Sequence, residues 1–377
     1  MGSPLTVLPH SGRDASEPQG SSEVPEPWRE DARATIRTLA ELERVLRLSD
    51  EERAGIEACA RAGLPLAITP HYLSLCDPHD PSCPIRRQCV PSSREQHVAK
   101  GELLDPLGEE TYTVAPHLVS RYPDRALLLV TDRCALYCRF CTRSRLVGQG
   151  SGAVRLQELE PAFAWLDAHQ EVRELIVSGG EPLLMSESRL DALFAALAER
   201  PHLDDVRVAS RLPVTLPSRI TPALCRSLRR LPSLWLMTHF NHPKEICSAS
   251  ARACAQLVDA GIPILNHTVL MQGINDDPDT LTALFRGLVR MRVKPYYLLQ
   301  GDVIVGSSHF RTPLEHGLQL METLQGRLSG IALPKFVVDT PGGAGKVPLE
   351  PRYLERSESG QHTLRTFRGE RVTYPDP

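Results

Sequence analysis

No apolar run in this chain approaches the roughly 20 residues that a helix needs to cross a bilayer, so no membrane span is expected. Neither sign of charge dominates. The 43 Lys and Arg stand against 46 Asp and Glu, a net charge of −3, so the broad basic field that favours nucleic acid is missing. The first residues contain no Lys- or Arg-led apolar segment, and no secretory signal is expected. Aromatic residues are few, at 5%, whereas prolines are many, at 32. The 10 cysteines are too sparse for a disulfide scaffold in 377 residues and fit a reducing cytosol, so a cytoplasmic location is expected. The length exceeds one average domain, but a single α/β barrel could take most of it.

Residues 1–27 are rich in Ser, Gly, Pro and Glu and read as a disordered leader. Segments 31–47 and 50–62 carry Leu and Ala at helical spacing, and Ser49-Asp50-Glu51-Glu52 reads as a helix start. They predict a helical cap. Segment 69–92 is dense in Pro, Asp, Ser and Cys and must be mostly irregular, a strap or functional loop. Its Cys76, Cys83 and Cys89 are spaced too widely for the usual metal pairs. From residue 126 strands and helices alternate. Strand-like runs fall at 126–131, 174–178, 204–210, 234–239, 263–270 and 294–299, with helical patterns between them. Six strands joined by helical crossovers predict a parallel sheet with its ligands at the strands' C-terminal ends. The tail after about 351 is polar and charged, and suggests no function.

Directly after the first of these strands comes Cys134-x3-Cys138-x2-Cys141. Three thiolates cannot close a four-ligand iron–sulfur cube; they leave one iron free for an outside ligand. Zinc or unrelated buried cysteines are the alternatives on spacing alone. After the second strand comes Ser178-Gly179-Gly180-Glu181-Pro182. It is either a plain strand-to-helix turn or a backbone that approaches a ligand closely, with Glu181 accepting from an ammonium group. Asp339-Thr340-Pro341-Gly342-Gly343-Ala344-Gly345-Lys346-Val347 fails the P-loop pattern, because Thr340 replaces a required Gly and Val347 a required Ser or Thr. Lys346 is then an exposed turn lysine or a Schiff-base lysine.

The cysteine loop resembles that of the radical S-adenosylmethionine superfamily. Together with Ser178–Pro182 and Asp339–Pro348 it resembles the lysine 2,3-aminomutase family. Further segments carry the likeness in the same order: Ile68–Tyr72, Cys83–Gln88, Arg121–Arg125, Thr238–Pro243, Asn275-Asp276 and Ser308–Thr312. The resemblance implies an α/β fold, a partial (βα)6 radical SAM barrel at 111–312, behind an N-terminal cap and strap at 28–110 and before a C-terminal segment at 313–377. It implies that His239 is a cofactor-binding residue, and it implies three cofactors: a [4Fe–4S] cluster on Cys134, Cys138 and Cys141; S-adenosylmethionine near Ser178, Gly179, Gly180 and Glu181; and pyridoxal 5′-phosphate. The last would form a Schiff base with Lys346, its phosphate meeting Arg121 and Arg125, since guanidinium forks match phosphate oxygens. Arg143 would grip the substrate α-carboxylate, and Asp302 and Asp339 the far amino group of lysine. It also implies an electron donor of the flavodoxin or ferredoxin class and allows a homodimer.

Two carboxylates converging in a closed pocket repel each other unless a cation lies between them. The expected substrate therefore has a cationic side chain, L-lysine first and L-arginine second. Glutamate would be repelled. Leu299 and Gly301, smaller or less polar than the residues many relatives carry there, suggest a roomier pocket. No cysteine follows Cys254, so the C-terminal zinc site of the clostridial-type relatives is missing here. The implied reaction is 1,2-amino migration from an L-α-amino acid to its β-amino acid. A diverged radical reaction on a basic amino acid, or a non-catalytic zinc scaffold, are the alternatives.

Overall fold

The structure, a computed structural model, describes residues 26–375 except 65, 149, 151, 359 and 360. The expected leader falls outside the described residues apart from its last two. The cap is made of α1 (Pro27–Arg33), α2 (Leu39–Glu43) and α3 (Asp50–Arg61). The single helix expected over 31–47 is two. Thr38 and Glu41 form a capping box that starts α2, and Ile36 is drawn into an extended bridge with Ile68. Ser49 and Glu52 form the box that starts α3, as expected. The strap is irregular apart from α4 (Pro70–Ser74) and one 3-10 turn. Arg86, fully buried, fastens it by pairing with Glu52 at 2.7 Å.

One sheet runs through ten strands in sequence order. The hairpin β1 (Thr113–Ala115) and β2 (Leu118–Tyr122) opens it antiparallel. Then come β3 (Arg125–Thr131), β4 (Glu174–Gly179), β5 (Asp205–Ala209), β6 (Leu234–Thr238), β7 (Ile264–Leu270) and β8 (Val293–Gln300), all parallel. The crossovers are α5 (Glu160–Ala168), α6 (Glu187–Ala198), α7 (Leu212–Thr215) with α8 (Pro222–Leu228), α9 (Ser248–Asp259) and α10 (Pro278–Arg290). The six expected strands are thus all present. The barrel also takes in part of the expected C-terminal segment. α11 (Leu314–Leu324) crosses to a further parallel strand, β9 (Lys335–Asp339), and β10 (Lys346–Pro348) returns antiparallel beside it. The unassigned tail forms a second antiparallel sheet: β11 (Leu354–Glu358), β12 (Gln361–Arg365) and β13 (Arg371–Pro375).

Successive strand residues point to opposite faces. Ala126, Leu128 and Val130 of β3, Leu175 and Val177 of β4, and Val206 and Val208 of β5 are buried in the main core. Their alternates Leu127, Ile176, Ser178, Arg207 and Ala209 line an internal cavity instead. The sheet's two edges meet at a seam. The Lys346 N–H donates to the Tyr122 hydroxyl oxygen at 2.8 Å, Arg121 pairs with Asp339 at 3.1 Å, and the Gly342 N–H donates to the Pro106 carbonyl at 2.9 Å. Gly343 has φ +86°, and a Cβ there would lie 2.4 Å from the Leu107 carbonyl oxygen, so the close approach at the seam requires glycine.

Candidate active site

All the residues singled out for the cluster, S-adenosylmethionine, pyridoxal phosphate and substrate line one cavity of about 680 Å³ inside the barrel. The cysteine loop, Ser178–Glu181, His239 and Asp302 lie at or just after the C-terminal ends of β3, β4, β6 and β8, as the parallel sheet predicts, whereas Arg121, Arg125 and Lys346 come from β2, the start of β3 and the start of β10.

The cysteine loop leaves β3 and is held by the strap: the Tyr137 N–H donates to the Ala67 carbonyl at 3.0 Å and the Arg139 N–H to the Gln88 carbonyl at 3.0 Å. Burial, and then the neighbouring thiols, push the Cys141 thiol up to about 11 and Cys134 well above its ordinary value. Such thiols ionise when a cationic centre takes them as ligands. Among the described residues no three His, Cys, Asp or Glu side chains are grouped so that they could hold a single metal ion. An iron–sulfur cube puts each thiolate on a different iron, which suits three cysteines that share a cavity wall without converging on a point. Of the strap cysteines, Cys76 and Cys89 are buried with their sulfurs 3.9 Å apart.

Gly179 and Gly180 are compelled by packing within the protein. A Cβ on Gly179 would lie 2.3 Å from the Thr131 carbonyl oxygen, and one on Gly180 would lie 2.4 Å from that of Arg133. They let the turn after β4 press against the cysteine loop. The Glu181 carboxylate accepts from the backbone N–H groups of Arg211 at 2.8 Å and Leu183 at 3.2 Å, and burial pushes it up to about 7. The His239 ring is stacked on Phe140 at 5.5 Å. Its Nε2 is buried without a hydrogen-bond partner, and desolvation holds it neutral.

Lys346 reaches into the cavity from the seam, its Nζ on the Asp339 carboxylate. Asp339 also accepts from Arg121 at 3.1 Å, so it already has two cations. Arg125 pairs with the neighbouring Asp124 at 3.0 Å and lies over the Tyr122 ring at 4.6 Å. Arg143 donates to Glu109 at 2.8 Å and to the Ser178 hydroxyl at 3.2 Å. Asp302 differs from all of these. Its carboxylate lines the cavity with no hydrogen bond or ion pair to any described residue, and burial and then Asp339 push it up to about 7. Leu299 lines the cavity, but Gly301 is not among the lining residues; a Cβ there would make ordinary contact with Arg311 at 3.5 Å. The roomier-pocket argument therefore rests on Leu299 alone.

The raised value at Asp302 has a stability consequence. Its folded pKa lies above the unfolded one, so the penalty is absent below about pH 4 and complete above about pH 7. Cofactor-free Asp302→Asn is expected to melt at a higher temperature than wild type at pH 8, the gain shrinking toward pH 4. Melting curves across that range check it.

Residues 128–284 match the Radical SAM superfamily, and residues 321–377 match the family described as Lysine-2,3-aminomutase. The L-lysine 2,3-aminomutase of Clostridium subterminale is 44% identical over 350 residues, 93% of this chain and 84% of that one. The chain belongs to the lysine 2,3-aminomutase family. The Bacillus subtilis L-lysine 2,3-aminomutase is 43% identical over 91% of this chain and 73% of its own. A glutamate 2,3-aminomutase from Clostridioides difficile is 39% identical over 82% of this chain and 73% of its own. The aminomutase family consists of isomerases, so the zinc-scaffold alternative falls. The radical SAM match brings with it the superfamily's [4Fe–4S] cluster and S-adenosylmethionine. The aminomutase match at 321–377 takes in β9, Lys346 and the whole second sheet, which gives the unassigned tail a place in the family.

Sequence reasoning missed two cavity residues. Arg211 follows β5 at the same C-terminal level as the cysteine loop, a position the parallel-sheet argument could have flagged. His267 stands between Asn266 and Thr268 in the middle of β7; among the described residues its buried Nε2 has no hydrogen-bond partner, and burial and then Lys346 push it down to about 3. Three consecutive polar residues inside an otherwise apolar strand are the available signal.

Proposed function

We propose that this enzyme is a radical S-adenosylmethionine, pyridoxal phosphate-dependent 2,3-aminomutase that converts a cationic L-α-amino acid, L-lysine first, to its β-amino acid. The observation that carries the substrate reading is the unpartnered carboxylate of Asp302, facing the same cavity as Lys346. The nearby cations Lys346, Arg121 and Arg143 only partly offset the burial of Asp302, and a substrate cation that paired with it directly would relieve the remaining cost. A carboxylate-tailed substrate would add a third negative charge beside Asp302 and Asp339. The residues fit the cofactor set. Three cysteines of one loop can hold a cluster, and Lys346 stands within the same cavity as the guanidinium groups of Arg121 and Arg125, which suit a phosphate. When bound, the cluster and S-adenosylmethionine supply a radical and pyridoxal phosphate supplies an electron sink. The protein holds the carboxylate end at Arg143 and the cationic end at Asp302.

An anaerobic assay of reconstituted enzyme against lysine, arginine, ornithine and glutamate, with product analysis, tests the reading. β-Lysine as the main product supports it. Preference for glutamate overturns the substrate assignment, even if amino migration occurs.

Lys346→Ala is expected to lose the covalent cofactor link, while Arg121 and Arg125 retain weak binding. Borohydride trapping and peptide mapping check this. A pyridoxyl label on another lysine would move the assignment.

A further inference from the structure

Arg211 has no role in the reading above, yet its side chain is fixed on almost every side. Nη2 donates to the Tyr72 hydroxyl at 3.1 Å, the Gln88 amide oxygen at 2.7 Å and the Glu245 carboxylate at 2.8 Å. Nε donates to the His239 carbonyl at 3.1 Å. Tyr72, Gln88 and Glu245 are completely buried. Among the described residues Nη1 has a single hydrogen-bond partner, the Cys138 sulfur, at 2.8 Å. The guanidinium thus has one edge satisfied by the protein and the other presented to a cysteine of the loop.

Burying an Arg–Glu pair this deeply costs desolvation that well-packed apolar side chains would avoid. Glu245 is itself locked, accepting from the Asn241 and His242 N–H groups at 2.6 and 3.0 Å as well as from Tyr72 at 2.7 Å. The network therefore does more than fill space: it holds a permanent cation against one sulfur. Arg does not deprotonate in proteins, so this charge is present at every working pH.

We propose that Arg211 is a positioning residue for the iron–sulfur cluster, a preset cation whose Nη1–H donates to the Cys138 sulfur and favours the reduced cluster. The proposal rests on the reading that Cys138 is a cluster ligand. The step concerned is transfer of one electron from a low-potential donor of the ferredoxin or flavodoxin class to the oxidised cluster. The donor is oxidised by one electron and the cluster reduced by one; no bond forms or breaks and no proton moves at Arg211. Reduction adds a negative charge, and a hydrogen bond and a cation at a ligand sulfur stabilise it, which raises the reduction potential.

The test is a potentiometric titration of anaerobically reconstituted wild type, Arg211→Gln and Arg211→Lys, followed by electron paramagnetic resonance without S-adenosylmethionine or substrate. The reduced-to-oxidised ratio at a fixed potential is expected to fall about tenfold or more in Arg211→Gln, which is about 59 mV for one electron. Arg211→Lys, which keeps the charge and loses the planar fork, is expected to fall between. Equal potentials in wild type and Arg211→Gln, at equal cluster content, overturn the proposal. If Arg211→Gln takes up no iron, wild type grown with guanidino-15N arginine decides. A 15N coupling to the reduced cluster that is absent in Arg211→Lys supports the contact, and its absence in wild type overturns it. Cys138→Ala separates the two readings. If that variant keeps an intact cluster, the ligand assignment fails, whereas an unchanged potential in Arg211→Gln fails only the present inference.

Discussion

Cys138→Ala is expected to give a folded protein with no iron–sulfur spectrum and no turnover. Two thiolates, on Cys134 and Cys141, remain in the loop, and two cannot hold a cube whose fourth iron is already without a protein ligand. The fold should survive, because the loop is fixed by contacts that do not involve this sulfur. Tyr137 and Arg139 bond through their backbones to Ala67 and Gln88, and the Arg139 guanidinium forms a buried pair with Glu95. Iron and sulfide analysis, the visible spectrum and the melting temperature, measured together under anaerobic conditions, separate loss of the cluster from loss of the fold. Full activity in the reconstituted variant would sink the radical assignment.

The second large effect falls on substrate selection. Asp302→Asn is expected to lower kcat/KM for lysine at least about 30-fold, since removing one partner of a buried charge pair costs about 2–5 kcal/mol. In wild type, kcat/KM for the cationic substrate should fall as pH drops below about 7, because Asp302 takes up a proton there and loses its attraction for the cation. In Asp302→Asn that limb should flatten. Cluster content and cofactor trapping should not change. Asp339→Asn should behave differently, since it leaves Arg121 and Lys346 without their shared carboxylate and so disturbs the seam as well as selection. A variant Asp302→Asn that keeps wild-type selectivity for lysine over glutamate would show that the recognising group lies elsewhere.

The barrel strands were legible because each is a short apolar run bounded by polar residues, and because the crossover helices begin with strong local signals. Asp277-Pro278 before α10 is one: the aspartate side chain accepts from the N–H groups at 279 and 280. The break near residue 38 was equally legible in Thr38-x-x-Glu41, but apolar residues at helical spacing on both sides, Ala32 and Ile36 before it and Leu39, Leu42 and Leu46 after it, masked it. The tail sheet was not legible, since its strands are polar and several apolar residues there, including Leu354, Phe367 and Tyr374, are exposed, so no buried face imposed a period. The site residues were found through order-preserving resemblance, which reports identity and not partners. It could not reveal that Asp339 is already doubly paired while the Asp302 carboxylate has no hydrogen bond or ion pair among the described residues. Nor could it assemble the Arg211 cradle, whose acceptors at Tyr72, Gln88 and Glu245 lie 139, 123 and 34 residues away along the chain.

If pyridoxal phosphate is held as proposed, the seam between β2 and β10 would tie its binding to the mechanics of the barrel. Its polar clasps are Arg121 with Asp339 and the Lys346 N–H with Tyr122, and two of those four residues, Arg121 and Lys346, are the ones that pyridoxal phosphate would recruit. Arg121 cannot give its full fork to a phosphate and to Asp339 at once, so an arriving cofactor must exchange one clasp for another. Under that reading the clasp between the Lys346 N–H and Tyr122 would stay while the one at Arg121 changed partner, and the bound group would complete the wall of the barrel that contains it.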